Sequence, residues 1–422
     1  MNVRDLHLNI KIRLIETFFT NVLSNMVLPF MTIYFAEHFG QKMAGVMFAL
    51  NVLAGVASGV FGGLLADRVG RRRMMLIAEW MRFAALVMIA VANTSWFNSA
   101  LVTFFMMLIV NISSGFSFPA GQAMIVDCST PENRKLVYSL DYWSINASLL
   151  IGGAVGGLMF HSYMSELFTG GAVMSMISIL LLQFAIKETH TIATDTKQPL
   201  AADMQGSYKN VFRDKTFMIF ILACMLLLAV QNVAFQYSGV RLAQEMTSET
   251  LLSLPFLTVN VDGVQMYGFL RAENALAVVC LTLLLQRVFR KYRDQHVLNS
   301  GIVLTVLGFA CIVWMNNPWL LLIAMLIGTI GDMMNVTIRQ TYLADIVPST
   351  QRGTYMAMHG LVQVGAQMAA AGGVFLGAWV PAWGMAVIVV LFGLISLVQF
   401  GVLEQRVQLR RAEQSESYEA LG

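Results

Sequence analysis

Charge is scarce in this sequence. Only 12% of its 422 residues are Asp, Glu, Lys or Arg, against 57% hydrophobic residues, whereas a water-soluble domain carries about a quarter charged residues. A chain so poor in charge cannot cover a soluble surface, so most of it must face an apolar phase. Cysteine is scarce as well: Cys128, Cys224, Cys280 and Cys311 show no C-x-x-C spacing, which removes zinc and dithiol redox chemistry and leaves them as packing residues. The six histidines are scattered, and none has a His or acid at i+4 inside a helix, so no metal site is expected. The dipeptide G-K occurs nowhere, which excludes a Walker phosphate loop, and the G-x-S-x-G nucleophile elbow is absent too. The chain is expected not to be an enzyme, to hold no cofactor, and to draw any work from an ion gradient or an outside ATPase.

Long apolar runs are what the sequence has in plenty. Twelve stretches approach or exceed the ~20 residues that cross a ~30 Å hydrocarbon layer. They lie at 13–36, 43–66, 74–93, 98–123, 136–160, 168–186, 216–241, 264–287, 297–315, 318–342, 354–378 and 382–403. Lys and Arg gather in alternate intervals, from Arg4, Lys11 and Arg13 through Arg68, Arg71, Arg72 and Arg73 to Arg406, Arg410 and Arg411; the opposite intervals hold only Lys42 and Arg241. Positive residues stay on the cytoplasmic side, so a multi-pass protein of the cell membrane with both termini cytoplasmic is expected. The net charge of +3 reflects that sidedness and is no argument for a nucleic-acid partner. No cleavable leader is expected, because the opening MNVRDLHLNIKIRL is polar and the first run is too long for one.

The longest polar interval, Lys187–Lys215, separates six runs from six. An internal repeat supports the split: Gln122, Asp127 and Arg134 recur as Gln340, Asp345 and Arg352, and Arg72 and Arg73 recur as Arg290 and Lys291, all at one offset of 218 residues. The expected fold is an all-α membrane protein of twelve helices in two six-helix bundles related by pseudo-two-fold symmetry, a transporter plan. Its parts would be a bundle over 1–189, a cytoplasmic linker over 190–211, a second bundle over 212–406 and a cytoplasmic tail over 407–422.

Between the second and third runs stands GGLLADRVGRRR, Gly62–Arg73. Gly70 permits a turn that a β-carbon would strain, and the arginines hold the loop at the headgroups. The stretch resembles the signature loop of the major facilitator superfamily. GQAMIVDCSTPENRKLVYSLDYW (Gly121–Trp143) and DKTFMIF (Asp214–Phe220) narrow the resemblance to its drug/proton antiporter group, of the type of the lactococcal proton-driven multidrug exporter. The resemblance covers most of the chain and weakens in the seventh run and the outer loop Gln244–Val264, which is longer here. It implies a cytoplasmic gate of Asp67, Arg68, Gly70, Arg71, Arg72, Asp127 and Arg134, with Asp67 latched on the start of helix eleven near Gly353–Tyr355, at the positive end of the helix dipole. Asp127 with Arg71, and Asp67 with Arg134, are the expected pairs. The plainer reading is a charged stop that fixes topology.

Few charges fall inside the runs, and an ionised group there is costly and usually functional. Glu16 lies one turn past Arg13, and Glu79 lies three residues before Arg82, so each can be neutralised on its own helix. Asp141 is about six residues into the fifth run, or ~9 Å. Glu273 is deeper; Arg271 is close in sequence but points elsewhere, so a partner on another helix is expected. Asp332 sits near the middle of the tenth run with no basic residue within a turn, which makes it the leading candidate to bind and release a proton. The resemblance agrees, since its group has acids at the positions of Asp332 and Asp141. It also has an acid in helix seven, where this chain has Gln231, Asn232, Phe235 and Gln236; Glu273 is the candidate substitute. Helix two offers Gly55, Gly59 and Gly63, and helix five Gly152, Gly153, Gly156 and Gly157, as small-residue packing faces.

The favoured function is secondary active, proton-coupled efflux of hydrophobic or cationic drugs by alternating access, with Asp332, Asp141 and Glu273 carrying protons or substrate. The alternatives are export of one specific metabolite, an uncoupled facilitator, and a non-transporting membrane sensor or scaffold. Expected partners are small hydrophobic or cationic substrates, protons and membrane lipids, and the chain is expected to work as a monomer.

Overall fold

In hydrocarbon no water satisfies backbone N–H and C=O groups, so a long apolar run must satisfy its own as a helix. The computed structural model describes residues 6–188, 211–254, 257–289, 291–347 and 352–419. Twelve long helices stand among them: α1 Leu8–Phe39, α2 Gln41–Val69, α3 Arg71–Ala92, α4 Ala100–Cys128, α5 Pro131–Met159, α6 Met164–Phe184, α7 Lys215–Glu245, α8 Gly263–Phe289, α9 Asp294–Trp314, α10 Pro318–Ile346, α11 Arg352–Leu376 and α12 Ala382–Glu419. Nine are, among the described residues, long and apolar enough to cross a membrane. The other three, α5, α8 and α11, carry polar residues within their length, including Asp141, Glu273 and His359.

Capping chemistry places several boundaries. Asn317 Oδ1 accepts from the backbone N–H groups of Trp319 (3.1 Å) and Leu320 (3.2 Å), with Pro318 at the first helical position. That cap and proline are what break α9 from α10 across only three residues. Asp214 Oδ1 likewise accepts from Thr216 N (3.0 Å) and Phe217 N (3.2 Å) at the start of α7. Helix α5 begins at Pro131, behind a capping box of Thr130 and Asn133. Asp141 is therefore ten residues, or ~15 Å, along its helix rather than six. The long loop after α7 contains an element absent from the sequence expectation, an antiparallel pair β1 Glu249–Leu254 and β2 Leu257–Val261, registered Glu249 to Val261 and Leu254 to Leu257.

Packing divides the chain into two compact units. Unit 1 is Met1–Thr196 with Gly239–Val279, and unit 2 is Lys197–Ser238 with Cys280–Gly422. In unit 1 the main packed pairs are α3 with α4, α2 with α4, α1 with α5 and α3 with α6. The glycines of α5 serve two faces. Gly152 and Gly156 lie against Asn25, Met26 and Phe30 of α1, while Gly157 meets α8 so closely that a β-carbon on it would stand 2.6 Å from Gly268 Cα. On α2 the close approach to α4 is made by Gly62, whose added β-carbon would stand 2.6 Å from Gly115 O, whereas β-carbons on Gly55 and Gly59 of the expected stripe would meet nothing within 4 Å.

In unit 2, α9 packs on α10 and α12. The α9–α10 crossing is closest at Gly308, whose added β-carbon would lie 2.4 Å from Gly328 N. Gly308→Ala is therefore expected to lower stability by about 1–3 kcal/mol, seen as a lower thermal midpoint in detergent. Gly372→Ala in α11, where a β-carbon meets nothing within 4 Å, should leave the midpoint unchanged or raise it slightly. Equal effects of the two substitutions would contradict this packing. Large apolar side chains such as Val60, Phe118 and Val398 are more than half exposed on the helix surfaces, as a bilayer-facing exterior requires.

Candidate functional site

The signature loop is a single sharp turn. Gly70 ends α2 and caps α3 with φ +100°, a conformation that suits glycine. It is held from α6 and the residues after it: Glu188 accepts from the backbone N–H groups of Arg71 (3.2 Å) and Arg72 (3.1 Å), placing a carboxylate on the positive end of α3. Arg72 in turn donates from Nε to Leu182 O (3.0 Å) and from Nη2 to Gln183 O, so a cation sits on the carbonyls at the end of α6. Arg71 donates to Ala123 O (2.8 Å) and forms the expected ion pair with Asp127. The loop thus ties α3 to α4 and α6, and Arg68 is exposed beside it. The side chains of Asp67 and Arg134 lie outside the described residues, and so does their expected pairing.

The buried charges of unit 1 converge. Arg13 pairs with Glu16 on α1, and Arg82 Nη1 with Glu79 Oε1 at 2.7 Å on α3, the two same-helix pairs expected from their spacing. Their hydroxyl neighbours come from α6 and α4, and from α1 itself. Ser175 Oγ of α6 donates to Glu79 Oε2 (3.1 Å), Arg82 Nη2 donates to Ser114 Oγ of α4 (3.1 Å), and Thr20 Oγ1 donates to Glu16 Oε1 (3.3 Å). Asp141 of α5 lies within electrostatic reach of Arg13 and is hydrogen-bonded by Gln122. Glu273 of α8 also falls in unit 1. Its expected partner on another helix is not found for Oε2, which is buried with no hydrogen-bond partner among the described residues.

In unit 2, Asp332 is not alone. Arg339, two turns further along α10, approaches it at 3.4 Å (Nη2 to Oδ1). Arg339 lies seven residues on, beyond the single turn that holds no basic residue, and its long side chain spans the distance. Arg339 also lines a cavity of about 270 Å³, together with Gln340 of α10, Cys224 of α7, and His359 and Gln363 of α11. Helix seven offers no acid there: Phe235 packs its ring 5.7 Å from Phe309, and Asn232 Nδ2 is buried without a hydrogen-bond partner among the described residues. A second cavity, of about 540 Å³, lies in unit 1 along α2 and α4, lined by Ala54, Ala57, Ser58, Phe61, Arg68 and Phe116 among others. No cluster of three or more potential metal ligands occurs among the described residues.

Long apolar helices with acids and arginines buried in their interiors define a polytopic membrane protein. The family model of the Major Facilitator Superfamily matches residues 14–261 and 245–416, and the chain belongs to that superfamily. It is 29% identical over 419 residues, 96% of this chain and 99% of the relative, to a Na(+), Li(+), K(+)/H(+) antiporter of Planococcus maritimus. It is 23% identical over 365 residues, 84% of this chain and 82% of the relative, to the multidrug resistance protein MdtH of Shigella flexneri. Among solved structures it is similar to a POT family transporter in complex with a thioalcohol conjugated peptide, with a TM-score of 0.73 over 94% of this chain and 96% of that one at 12% identity. That likeness shows the shared fold, and the chain is a membrane transporter with the major facilitator fold.

Proposed function

We propose that the chain is a proton-coupled exporter of hydrophobic or cationic compounds, working by alternating access as a monomer in the cell membrane with both termini cytoplasmic. The observation that carries this reading is the presence of acids in the apolar interior of both units: Asp141 and Glu273 in unit 1, each with a carboxylate oxygen lacking a hydrogen-bond partner among the described residues, and Asp332 in unit 2 beside Arg339. Asp141 and Glu273 can exchange a proton for a cationic substrate at low electrostatic cost, because either one neutralises the carboxylate; at Asp332 a proton or cation competes with Arg339 for the carboxylate. The apolar cavity along α2 and α4 supports hydrophobic substrates, since small-molecule sites have this size and lining. In this reading the halves are 1–189 and 212–406, and Asp67, Arg68, Gly70, Arg71, Arg72, Asp127 and Arg134 form the cytoplasmic gate, in keeping with the resemblance to lactococcal-type exporters.

A second reading, exchange of inorganic monovalent cations for protons, is favoured by the likeness to the Na(+), Li(+), K(+)/H(+) antiporter of Planococcus maritimus, which aligns over nearly the whole of both chains. Proteoliposomes with an acid interior separate the two. A fluorescent lipophilic cation that collapses the pH gradient supports the first, Na⁺ or K⁺ doing so supports the second, and collapse by neither removes both.

A further inference from the structure

Five charged groups of unit 1 occupy one buried region. Arg13 and Glu16 come from α1, Glu79 and Arg82 from α3, and Asp141 from α5; α4 and α6 face them with the neutral groups Ser114, Gln122 and Ser175. All five charged residues are less than 9% exposed, Asp141 at 8% and Arg13 at 6%. Thr20 Oγ1 bridges the two pairs, accepting from Arg82 Nη1 (3.4 Å) and donating to Glu16 Oε1 (3.3 Å), and Asp141 of α5 lies within electrostatic reach of Arg13, so none of the five is isolated from the others.

Three carboxylates against two guanidiniums leave one negative charge. Two polar atoms mark where the balance is incomplete: Asp141 Oδ1 and Arg13 Nε are both buried without a hydrogen-bond partner among the described residues. Arg13 is committed to Glu16, so the carboxylate of Asp141 has a cation nearby but no ion pair of its own. An unbalanced charge in a bilayer interior is costly, and the smallest group that removes it is a proton.

We infer that these five groups form one proton site, which holds a single proton shared between Asp141 and Glu16, with Glu79 and Arg82 acting as the positioning pair that sets its charge. The site rests on the proton-coupled reading above and deepens it. A same-helix pair such as Glu79–Arg82 would, as packing alone, be dispensable to proton binding. Here removing one member changes the number of protons held, and removing both restores it.

The test counts protonated carboxyls by infrared difference spectroscopy on purified protein in lipid nanodiscs at neutral pH. Glu79→Gln should lower the protonated-carboxyl band by one group relative to wild type, because two acids then balance two arginines. The double variant Glu79→Gln/Arg82→Gln should recover the wild-type intensity, because two acids then face Arg13 alone. If Glu79→Gln does not fold, Asp141→Asn and Asp141→Asn/Arg82→Gln give the same loss and recovery, the recovered proton now residing on a glutamate. In proteoliposomes Glu79→Gln should carry one proton fewer per cation than wild type, and the double variant the wild-type number. A band that is unchanged in Glu79→Gln, or one that fails to recover in both double variants, overturns the proposal. The infrared count needs no transport, so an inactive wild type would strike the exchange reading and leave the shared proton to be judged by the band.

Discussion

Asp332→Asn is expected to abolish proton-driven transport while the protein still inserts and folds. Asn has nearly the shape of Asp, so the packing of α10 is kept, and the one partner it strands, Arg339, lines a cavity where water can solvate a guanidinium. What Asn cannot do is take up and release a proton. With Asp332 as the group whose protonation displaces the cation in unit 2, its loss removes the step at which a proton releases substrate, and transport should fall to the level of protein-free liposomes. The measurement is pH-gradient-driven uptake in proteoliposomes, with an unchanged gel-filtration profile as the folding control. Gradient-driven uptake at the wild-type rate by a folded Asp332→Asn protein would remove Asp332 from the mechanism.

Arg82→Met is expected to be among the most destabilising single changes in unit 1. Glu79 is fully buried and Arg82 nearly so, and breaking a buried pair by deleting one member costs about 3–5 kcal/mol because the other charge is left uncompensated. Here the loss extends further, since Arg82 also donates to Ser114 of α4 and contacts Thr20 of α1. Replacing both members, Glu79→Leu with Arg82→Met, should recover most of that loss, as apolar substitutes of similar volume often do. Thermal unfolding in detergent reads both effects. A double variant no more stable than Arg82→Met would show that the pair contributes through its shape and hydrogen bonds rather than through its charge.

The helices and the same-helix ion pairs were legible because each is written in a single periodic stretch. Apolar runs give the crossings, and a spacing of three gives Arg13–Glu16 and Glu79–Arg82. Helix ends were less so, because hydropathy reports the apolar span and not the helix. The polar first turn of α5, Pro131 to Lys135, has no apolar signal, yet Thr130 and Asn133 cap it, and Asp141 moves deeper as a result. The Arg71–Asp127 pair was expected from its resemblance, whereas Glu188 on the start of α3 was not, since an acid 117 residues away in sequence carries no local sign that it will cap another helix. Convergence of α1, α3 and α5 on one charge cluster is likewise a property of packing. The sequence shows each pair as neutral in itself, and only the arrangement shows Asp141 beside Arg13 as the group that upsets the balance. The hairpin after α7 was hidden for a different reason: LTVNV alternates only briefly, and ETLLSL, which carries a register irregularity between Thr250 and Leu252, does not alternate at all.

The central claim is that protons on buried acids of both units drive cation export, and it has an electrical signature. Expelling a monovalent cation against the membrane potential costs about 2.3 kcal/mol per 100 mV, and each proton entering returns the same electrical quantity together with its concentration difference. One proton per cation is electrically silent. Two protons, one held by the unit 1 cluster and one by Asp332, make the exchange responsive to voltage as well as to pH. The direct measurement is uptake of a monovalent lipophilic cation into inside-out vesicles with the pH gradient and an interior-positive potential imposed separately. Uptake is expected under either force alone and lost in Asp332→Asn; uptake that persists with both forces collapsed, or that ignores voltage altogether, would rule out two-proton exchange.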